Sequence, residues 1–191
     1  MSQSQLLIHV LDVLDAVGIP YMLTGSFVSS LQGEPRATHD IDLVIDLAAE
    51  SVKRILEAFS SPGFYLDESA MYEAVVRKST FNLIDYHEGD KVDFWLLTEE
   101  PFDRSRFARR RSVELLGRVL FVSSPEDTIL AKLRWAKLSG GSMKQFTDAV
   151  RVFEVQYGTL DIAYLADWVN ALGIADLWRR LQEEAEPVAW P

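Results

Sequence analysis

Two neighbouring segments of the sequence decide the fold: Leu23–Ser26, which is Leu-Thr-Gly-Ser, and Asp40–Ile45, which is Asp-Ile-Asp-Leu-Val-Ile. The second segment opens with two acids at the start of an apolar, β-branched run. On a β-strand, residues two apart project from the same face, so the carboxylates of Asp40 and Asp42 are expected to lie side by side. Two adjacent anions favour a divalent cation with oxygen ligands, and we predict Mg²⁺ completed by nucleotide phosphates.

The Gly25-Ser26 pair follows the apolar segment Tyr21–Leu23 and predicts a turn from a strand into a helix. Free N–H groups at the start of such a helix, together with the Ser26 hydroxyl, can receive phosphate oxygens. A simpler interpretation is that Gly25 is a turn residue and Ser26 an ordinary helix N-cap. The two interpretations are compatible, because a phosphate site of this kind is made from a capped helix start.

The Gly-Ser turn, the Asp-x-Asp pair and a later isolated acid together resemble the nucleotidyltransferase fold of the DNA polymerase β superfamily. The segment Gly33–Leu43 is similar to the Arg-x-Thr-x-Asp-x-Asp variant of small bacterial members of the abortive-infection and toxin-antitoxin type. Asp93, within Lys91–Leu97, matches the third acid of the motif. We therefore expect an α+β fold: a mixed β-sheet core flanked by helices over residues 1–122, followed by a C-terminal helical segment over residues 123–191.

The resemblance also implies roles for individual residues. Asp40, Asp42 and Asp93 would be catalytic and would bind the metal, with two Mg²⁺ ions expected. Segments in the last third of the chain are similar to the helices that follow the catalytic core in this group. The residues expected to bind the nucleotide are Gly25, Ser26, Arg36, Thr38, Lys132, Lys144 and Asp148.

Three of these residues also have simpler interpretations. Asp93 alternates with apolar residues, where an unpaired carboxylate is costly and a metal ion would offset the cost. Alternatively, Asp93 is a surface acid on the open face of an edge strand. Lys144 and Asp148 are four residues apart on a predicted helix, so they could form a plain surface ion pair worth roughly 0.2–0.5 kcal/mol.

The activity implied by the resemblance is transfer of a nucleoside monophosphate from an NTP to an acceptor hydroxyl. The acceptor is left open among a protein, a tRNA 3′ end and a small molecule such as an aminoglycoside. Two non-catalytic alternatives are also open. One is a scaffold of this fold that binds a nucleotide such as ATP without turnover. The other is an interaction protein, for example one half of a toxin-antitoxin pair. Trp168, Trp178 and Trp190 are expected to be either aromatic anchors of the C-terminal helices or the surface that binds such a partner.

Composition narrows the range of partners. The chain has 191 residues, and 48% of them are hydrophobic, which suffices for a substantial core. Its 19 Lys and Arg residues against 29 Asp and Glu residues give a formal charge of −10, which disfavours a broad grip on nucleic acid. There is no cysteine, no signal-peptide pattern and no apolar run of about 18 residues, so we expect a cytoplasmic protein without a membrane partner.

Periodicity predicts the elements around the motifs. An amphipathic N-terminal helix should end at Gly18. Neighbouring strands are expected over Tyr21–Thr24 and Ile41–Asp46, on either side of the turn and helix. A β-hairpin is expected from Thr80–Tyr86 and Lys91–Leu97.

The second half of the chain is predicted to be mainly helical. Ser124 and Pro125 have the pattern of a helix start, and Ser142 with Gln145 has the spacing of a capping box for the next helix. The one arginine-rich segment, residues 104–111, is expected to be a solvated helix face, or else a clamp for a triphosphate or an RNA backbone.

Overall fold

A computed structural model describes residues 1–187 of the chain, and within this range it contains seven strands and nine α-helices. The strands are β1 (Tyr21–Thr24), β2 (Asp40–Ile45), β3 (Phe64–Leu66), β4 (Thr80–Asp85), β5 (Lys91–Leu96), β6 (Arg111–Leu115) and β7 (Arg118–Val122). The helices are α1 (Gln3–Val17), α2 (Gly25–Gln32), α3 (Val52–Ala58), α4 (Glu68–Arg77), α5 (Pro101–Ala108), α6 (Pro125–Leu138), α7 (Met143–Gln156), α8 (Ile162–Ala171) and α9 (Ala175–Glu184). The predicted α+β fold class is confirmed.

Contacts divide the chain into two compact units. Unit 1 consists of Met1–Thr24 and Thr38–Val122, and unit 2 consists of Gly25–Ala37 and the residues from Ser123 onward. All seven strands belong to unit 1, together with α1, α3, α4 and α5. Unit 2 is helical and contains α2 and α6 to α9.

The sheet of unit 1 is mixed and has the strand order β3-β4-β5-β2-β1-β7-β6. β2 pairs in parallel with β5, β1 pairs in parallel with β7, and the remaining pairs are antiparallel. The predicted hairpin is present as β4 and β5, and the predicted neighbouring strands are present as β1 and β2. Because β5 lies between β4 and β2, the interpretation of Asp93 as an acid on an edge strand is wrong.

Helix α1 shows how the sequence sets the ends of an element. Ser2 and Gln5 form a capping box, since the Ser2 hydroxyl accepts the Gln5 N–H and the Gln5 side chain accepts the Ser2 N–H. Gly18 ends the helix, as predicted, with a φ of 78° that favours glycine. The buried face of α1 is formed by Leu6, Leu7, Val10, Leu11 and Leu14.

The capping box predicted at Ser142 is wrong. Ser142 does precede α7, but its side chain makes no capping hydrogen bond. A capping box needs the Gln145 side chain to accept the N–H of Ser142. That N–H instead donates to the carbonyl of Ala136 at 3.3 Å, in the turn that ends α6.

The arginine-rich segment 104–111 does not form one helix face, so this prediction is also wrong. Helix α5 covers only its first part, and Arg111 is the first residue of β6. The Arg110 guanidinium lies over the rings of Phe107 and Phe121, 4.4 Å and 5.2 Å from their centroids. Cation–π contacts of this kind hold the side chain against unit 1.

The predicted C-terminal helical segment is confirmed by α6 to α9. Ser124 caps α6, and Pro125 occupies its first turn. Trp178 is buried and packs edge-on against the ring of Phe153, at a centroid distance of 5.5 Å. Trp190 lies outside the described residues. Across residues 1–187, none of the helices combines the length and the apolar composition needed to cross a bilayer.

Candidate functional site

The first candidate site is a group of charged residues on one face of the sheet in unit 1. The parallel pairing of β2 with β5 puts Asp42 opposite Asp93 and Asp40 opposite Lys91. Paired residues project from the same face, and residues two apart on a strand share that face. The three acids and the lysine therefore lie together, and we call these four residues the acidic face.

Neighbouring strands hold the carboxylates of the acidic face. Lys91 Nζ lies 2.9 Å from Asp93 Oδ2, and the side-chain amide of Asn82 on β4 donates to Asp93 Oδ1. Trp95 Nε1 donates to Asp42 Oδ1 at 3.3 Å. The Asp93 side chain is only 16% exposed. Its two donors offset the cost of burying a carboxylate to that extent.

Lys91 is the cation of the acidic face. Its hydrogen bond to Asp93 raises the pKa of the Lys91 ammonium, partial desolvation opposes this, and the charges of Asp93, Asp40 and Asp42 raise the pKa further. Lys91 is therefore protonated at neutral pH. With three carboxylates and one ammonium, the acidic face has a surplus of negative charge.

The donor chemistry of the acidic face fits Mg²⁺, which prefers carboxylate oxygens. The Lys91 ammonium contacts Asp93 Oδ2, so the acidic face already accommodates one positive charge, which the chain itself supplies. As the side chains of residues 1–187 are arranged, no group of three or more His, Asp or Glu residues already forms a metal site. The oxygens of Asp93 are instead bonded to Lys91 and Asn82.

Thr38 lies immediately before the acidic face. Its hydroxyl accepts the N–H of Asp40 at 3.4 Å, and its carbonyl accepts Nε2 of Gln3 at 3.0 Å. These contacts fasten the start of β2 to the N-terminal turn of α1. The expectation that Thr38 contacts the nucleotide stays a prediction.

The predicted turn from strand to helix is present at Gly25 and Ser26. β1 ends at Thr24, whose strand partner is Asp42, and the chain enters α2 at the next residue. Gly25 has a φ of 70°, a backbone conformation that residues other than glycine seldom adopt. The Ser26 side chain is buried in unit 2.

The second candidate site is a group of charged residues inside unit 2. Asp148 on α7 accepts Arg36 Nε at 3.0 Å and Nη2 at 2.9 Å, and it accepts Lys132 Nζ of α6 at 2.7 Å. Arg36 Nη2 also donates to the Ser26 hydroxyl at 2.9 Å, and Lys132 Nζ lies 3.5 Å from that oxygen. We call Ser26, Arg36, Lys132 and Asp148 the basic cluster.

Burial couples the charges of the basic cluster. Lys132 is only 5% exposed and Asp148 only 8%. Burial alone would raise the pKa of Asp148, but hydrogen bonds from Arg36 and Lys132 and the charges of both cations bring it below its ordinary value. Both cations contact the same carboxylate, and an arginine and a lysine held this close together are suited to bind a phosphate group.

Lys144 and Asp148 do not form the surface ion pair that their spacing allowed. Asp148 is buried and paired with Arg36 and Lys132, whereas Lys144 is exposed in the first turn of α7. The surface-pair interpretation is therefore wrong, because α7 turns Asp148 towards the cations on neighbouring segments. The basic cluster forms without Lys144.

The described chain resembles several solved structures. ANT(2'')-Ia in complex with adenylyl-2''-tobramycin is 16% identical, with 94% of this chain and 99% of the other covered and a TM-score of 0.56. The lincosamide antibiotic adenylyltransferase LnuA, solved with lincomycin, is 14% identical, with 78% and 95% covered and a TM-score of 0.54. An antigenic nucleotidyltransferase-like protein from Paracoccidioides brasiliensis is 19% identical, with 94% and 92% covered and a TM-score of 0.55. The chain has the nucleotidyltransferase fold.

Sequence comparison adds to the evidence for this nucleotidyltransferase fold. The family described as aminoglycoside-2''-adenylyltransferase matches residues 6–93, which is less than half of the chain. The matched range contains Gly25, Ser26, Arg36 and all three acids of the acidic face, and it ends at Asp93. None of the curated proteins compared with the chain matches it in sequence. The predicted resemblance to the nucleotidyltransferase fold is confirmed.

Four residues around the two candidate sites were not predicted from the sequence. Lys91 and Trp95 could have been found, since each lies two residues from Asp93 on one strand and must share its face. The other two depend on contacts between segments that the sequence does not reveal. They are Asn82 beside the acidic face and Ser29, whose hydroxyl lies 3.4 Å from Asp148.

Proposed function

We propose that the protein is a Mg²⁺-dependent nucleotidyltransferase that moves a nucleoside monophosphate from an NTP to an acceptor hydroxyl. The observation that carries the proposal is the in-register pair of Asp42 and Asp93, with Asp40 on the same face, in a chain with the nucleotidyltransferase fold. Carboxylates gathered on one face are suited to hold divalent cations at a phosphoryl group.

Asp40, Asp42 and Asp93 would hold the metal, and we expect two Mg²⁺ ions. When bound, Mg²⁺ supplies Lewis-acid polarisation of phosphoryl oxygens and lowers the pKa of the acceptor hydroxyl. Asp93 would accept the proton of that hydroxyl as a general base. Trp95 would orient the carboxylate of Asp42 through the hydrogen bond from its indole N–H.

The basic cluster would bind the phosphates. The Ser26 hydroxyl accepts a hydrogen bond from Arg36, so its own hydrogen can be donated to a phosphate oxygen. Arg36 and Lys132 would balance the charge that develops on the pyrophosphate leaving group. Further contacts to the nucleotide are proposed for Gly25, Thr38, Lys144 and Asp148.

For the acceptor, we favour a cationic small molecule of the aminoglycoside class. This choice is supported by the match of residues 6–93 to the family described as aminoglycoside-2''-adenylyltransferase. A chain with a formal charge of −10 attracts a polycationic acceptor and repels polyanionic RNA. We place the reaction in the cytoplasm, where NTPs and Mg²⁺ are abundant.

A label-transfer assay tests this function. The purified protein is incubated with Mg²⁺ and each α-labelled NTP in turn, together with an aminoglycoside, total RNA or total cell protein. Label should pass to the aminoglycoside, and Asp42→Asn should lose the transfer while keeping its melting temperature. Transfer to RNA or protein alone would replace the proposed acceptor. Binding of NTP without transfer to any acceptor would overturn the proposed catalysis.

The contact between Lys91 and Asp93 favours one alternative, which is nucleotide binding without turnover. An ammonium that never leaves Asp93 would keep this carboxylate from a metal ion. Calorimetric titration with each NTP, with and without Mg²⁺, separates the two functions. A catalytic protein should bind NTP more tightly with Mg²⁺, whereas a silent scaffold should bind equally in both conditions.

A further inference from the structure

Lys91 lies where the acidic face would receive a metal ion. The pairing of β2 with β5 sets it opposite Asp40 and two residues before Asp93, on the side of the sheet that also carries Asp42. Its ammonium is 2.9 Å from Asp93 Oδ2, while the Lys91 side chain is still 42% exposed. A compact positive charge therefore lies among three carboxylates and is open to solvent.

The contribution of this contact to folding is small, because ion pairs at this degree of exposure are screened by water. Its effect on the acidic face is larger. Three carboxylates on neighbouring strand positions repel one another, and one ammonium compensates part of that repulsion. A divalent cation would satisfy the same carboxylates more completely, but it cannot share Asp93 Oδ2 with an ammonium.

We propose that Lys91 is the resident counter-ion of the acidic face, and that a divalent metal ion binds by displacing the Lys91 ammonium from Asp93. This inference rests on the proposed function, because it assigns the metal to the same carboxylates. The long stem of Lys91 allows its ammonium to move into solvent when it leaves Asp93.

Displacement has a consequence for the order of loading. A metal ion on its own must compete with Lys91, so it binds weakly. A metal ion that arrives with a nucleotide brings phosphate oxygens as additional ligands, and these favour the exchange. Lys91 thereby makes metal binding depend on the nucleotide, so that few metal ions bind without substrate.

The affinity for Mn²⁺ in the absence of nucleotide tests the proposal, with free Mn²⁺ measured by electron paramagnetic resonance. Removing a positive charge beside a bound dication should make Lys91→Met bind Mn²⁺ about tenfold more tightly than the wild type, or more. Lys91→Arg keeps the charge and should stay close to the wild type. The control is Lys53→Met, on an exposed position of α3 in the same unit, and it should match the wild type.

Thermal unfolding provides a second measurement and confirms that each variant is folded. Without metal, Lys91→Met should melt below the wild type, because the three carboxylates lose their counter-ion. Addition of Mn²⁺ should raise the melting temperature of Lys91→Met more than that of the wild type. A variant that only removes a structural contact would melt lower and would not recover with Mn²⁺.

Equal or weaker Mn²⁺ binding by Lys91→Met overturns the inference, and label transfer by the wild type would still support the proposed function. Tighter Mn²⁺ binding by Lys91→Met, with no label transfer by any protein, supports the inference and overturns the proposed function. If neither protein binds Mn²⁺ even with ATP present, both are overturned.

Discussion

The acidic face of unit 1 and the basic cluster of unit 2 differ in the sign of their charges and in how deeply the charged side chains are buried. In the acidic face, three like charges share one opposite charge, and its members are partly or fully exposed. In the basic cluster, two cations share one buried carboxylate, and every member is hydrogen-bonded to another. Strand register brings the acids of the acidic face together, whereas the basic cluster is part of the packing of unit 2. Mutations in the acidic face should change binding and catalysis, and mutations in the basic cluster should also change stability.

The largest expected effect is the loss of stability in Asp148→Asn. This change leaves Arg36 and Lys132 beside each other without their shared anion, and breaking a buried ion pair costs about 3–5 kcal/mol. The matched variant Asp93→Asn removes one of three like charges, so its stability should stay within about 1 kcal/mol of the wild type. Urea denaturation at neutral pH measures both. Equal losses in the two variants would remove the distinction between the sites.

The next effect concerns NTP affinity and compares two lysines of unit 2. Lys132→Met should weaken binding by about 1.5–3 kcal/mol, the range of a charge-assisted hydrogen bond. Lys144→Met should change it by less than about 1 kcal/mol, because Lys144 is exposed and lies outside the basic cluster. Isothermal titration with ATP distinguishes them. A larger loss in Lys144→Met would move the phosphate contacts from the cluster to the start of α7.

A substitution without any charge tests whether packing positions the basic cluster. A Cβ at Gly33 would lie 2.8 Å from the Val152 nitrogen and 2.9 Å from the Arg151 carbonyl carbon, both in the backbone of α7. Gly33→Ala should therefore displace the helix that carries Asp148, at a cost of about 1–3 kcal/mol in unfolding free energy. Gly158→Ala is the control, because a Cβ there meets nothing within 4 Å. Matching stabilities for the two variants would contradict a close approach at Gly33.

The smallest expected effect is on the acid sensitivity of folding. The pKa of Asp148 is lowered in the folded protein, so its contribution to stability is complete above the unfolded pKa of about 3.9. That contribution is lost as the pH falls through the lower folded value. The stability gap between wild type and Asp148→Asn should thus be constant from neutral pH to about pH 5, and it should narrow below about pH 3.9. Chemical denaturation across this range measures the gap, and a gap that widens on acidification would contradict the assignment.

Much of the fold was predictable because the relevant signals are local. The apolar spacing of α1 and its end at Gly18 follow from helical periodicity and glycine chemistry. The β4–β5 hairpin follows from alternation on both sides of a polar turn. In contrast, β6 was missed, because the arginines that precede it have the composition of a solvated helix.

The candidate sites were predictable only in part. The strand periodicity placed Asp40 and Asp42 on one face, and the family resemblance supplied Asp93. The partner of Asp148 could not be read from its neighbours, because Arg36 lies 112 positions away along the chain. Spacing within α7 pointed instead to Lys144, a pair that burial of Asp148 excludes.

The chain passes between the two units after Thr24, Ala37 and Val122, and this route constrains how the protein is made. The segment Gly25–Ala37 leaves the ribosome early, yet its partners in unit 2 are residues from Ser123 onward. Gln32, for example, donates to the carbonyl of Ser123 at 2.6 Å. Unit 2 therefore cannot finish folding until its later helices, which begin at Pro125, have been synthesised. For the same reason, cutting the chain near Val122 with a protease, or dividing its gene there, would not yield two complete units. Each product would contain only part of unit 2.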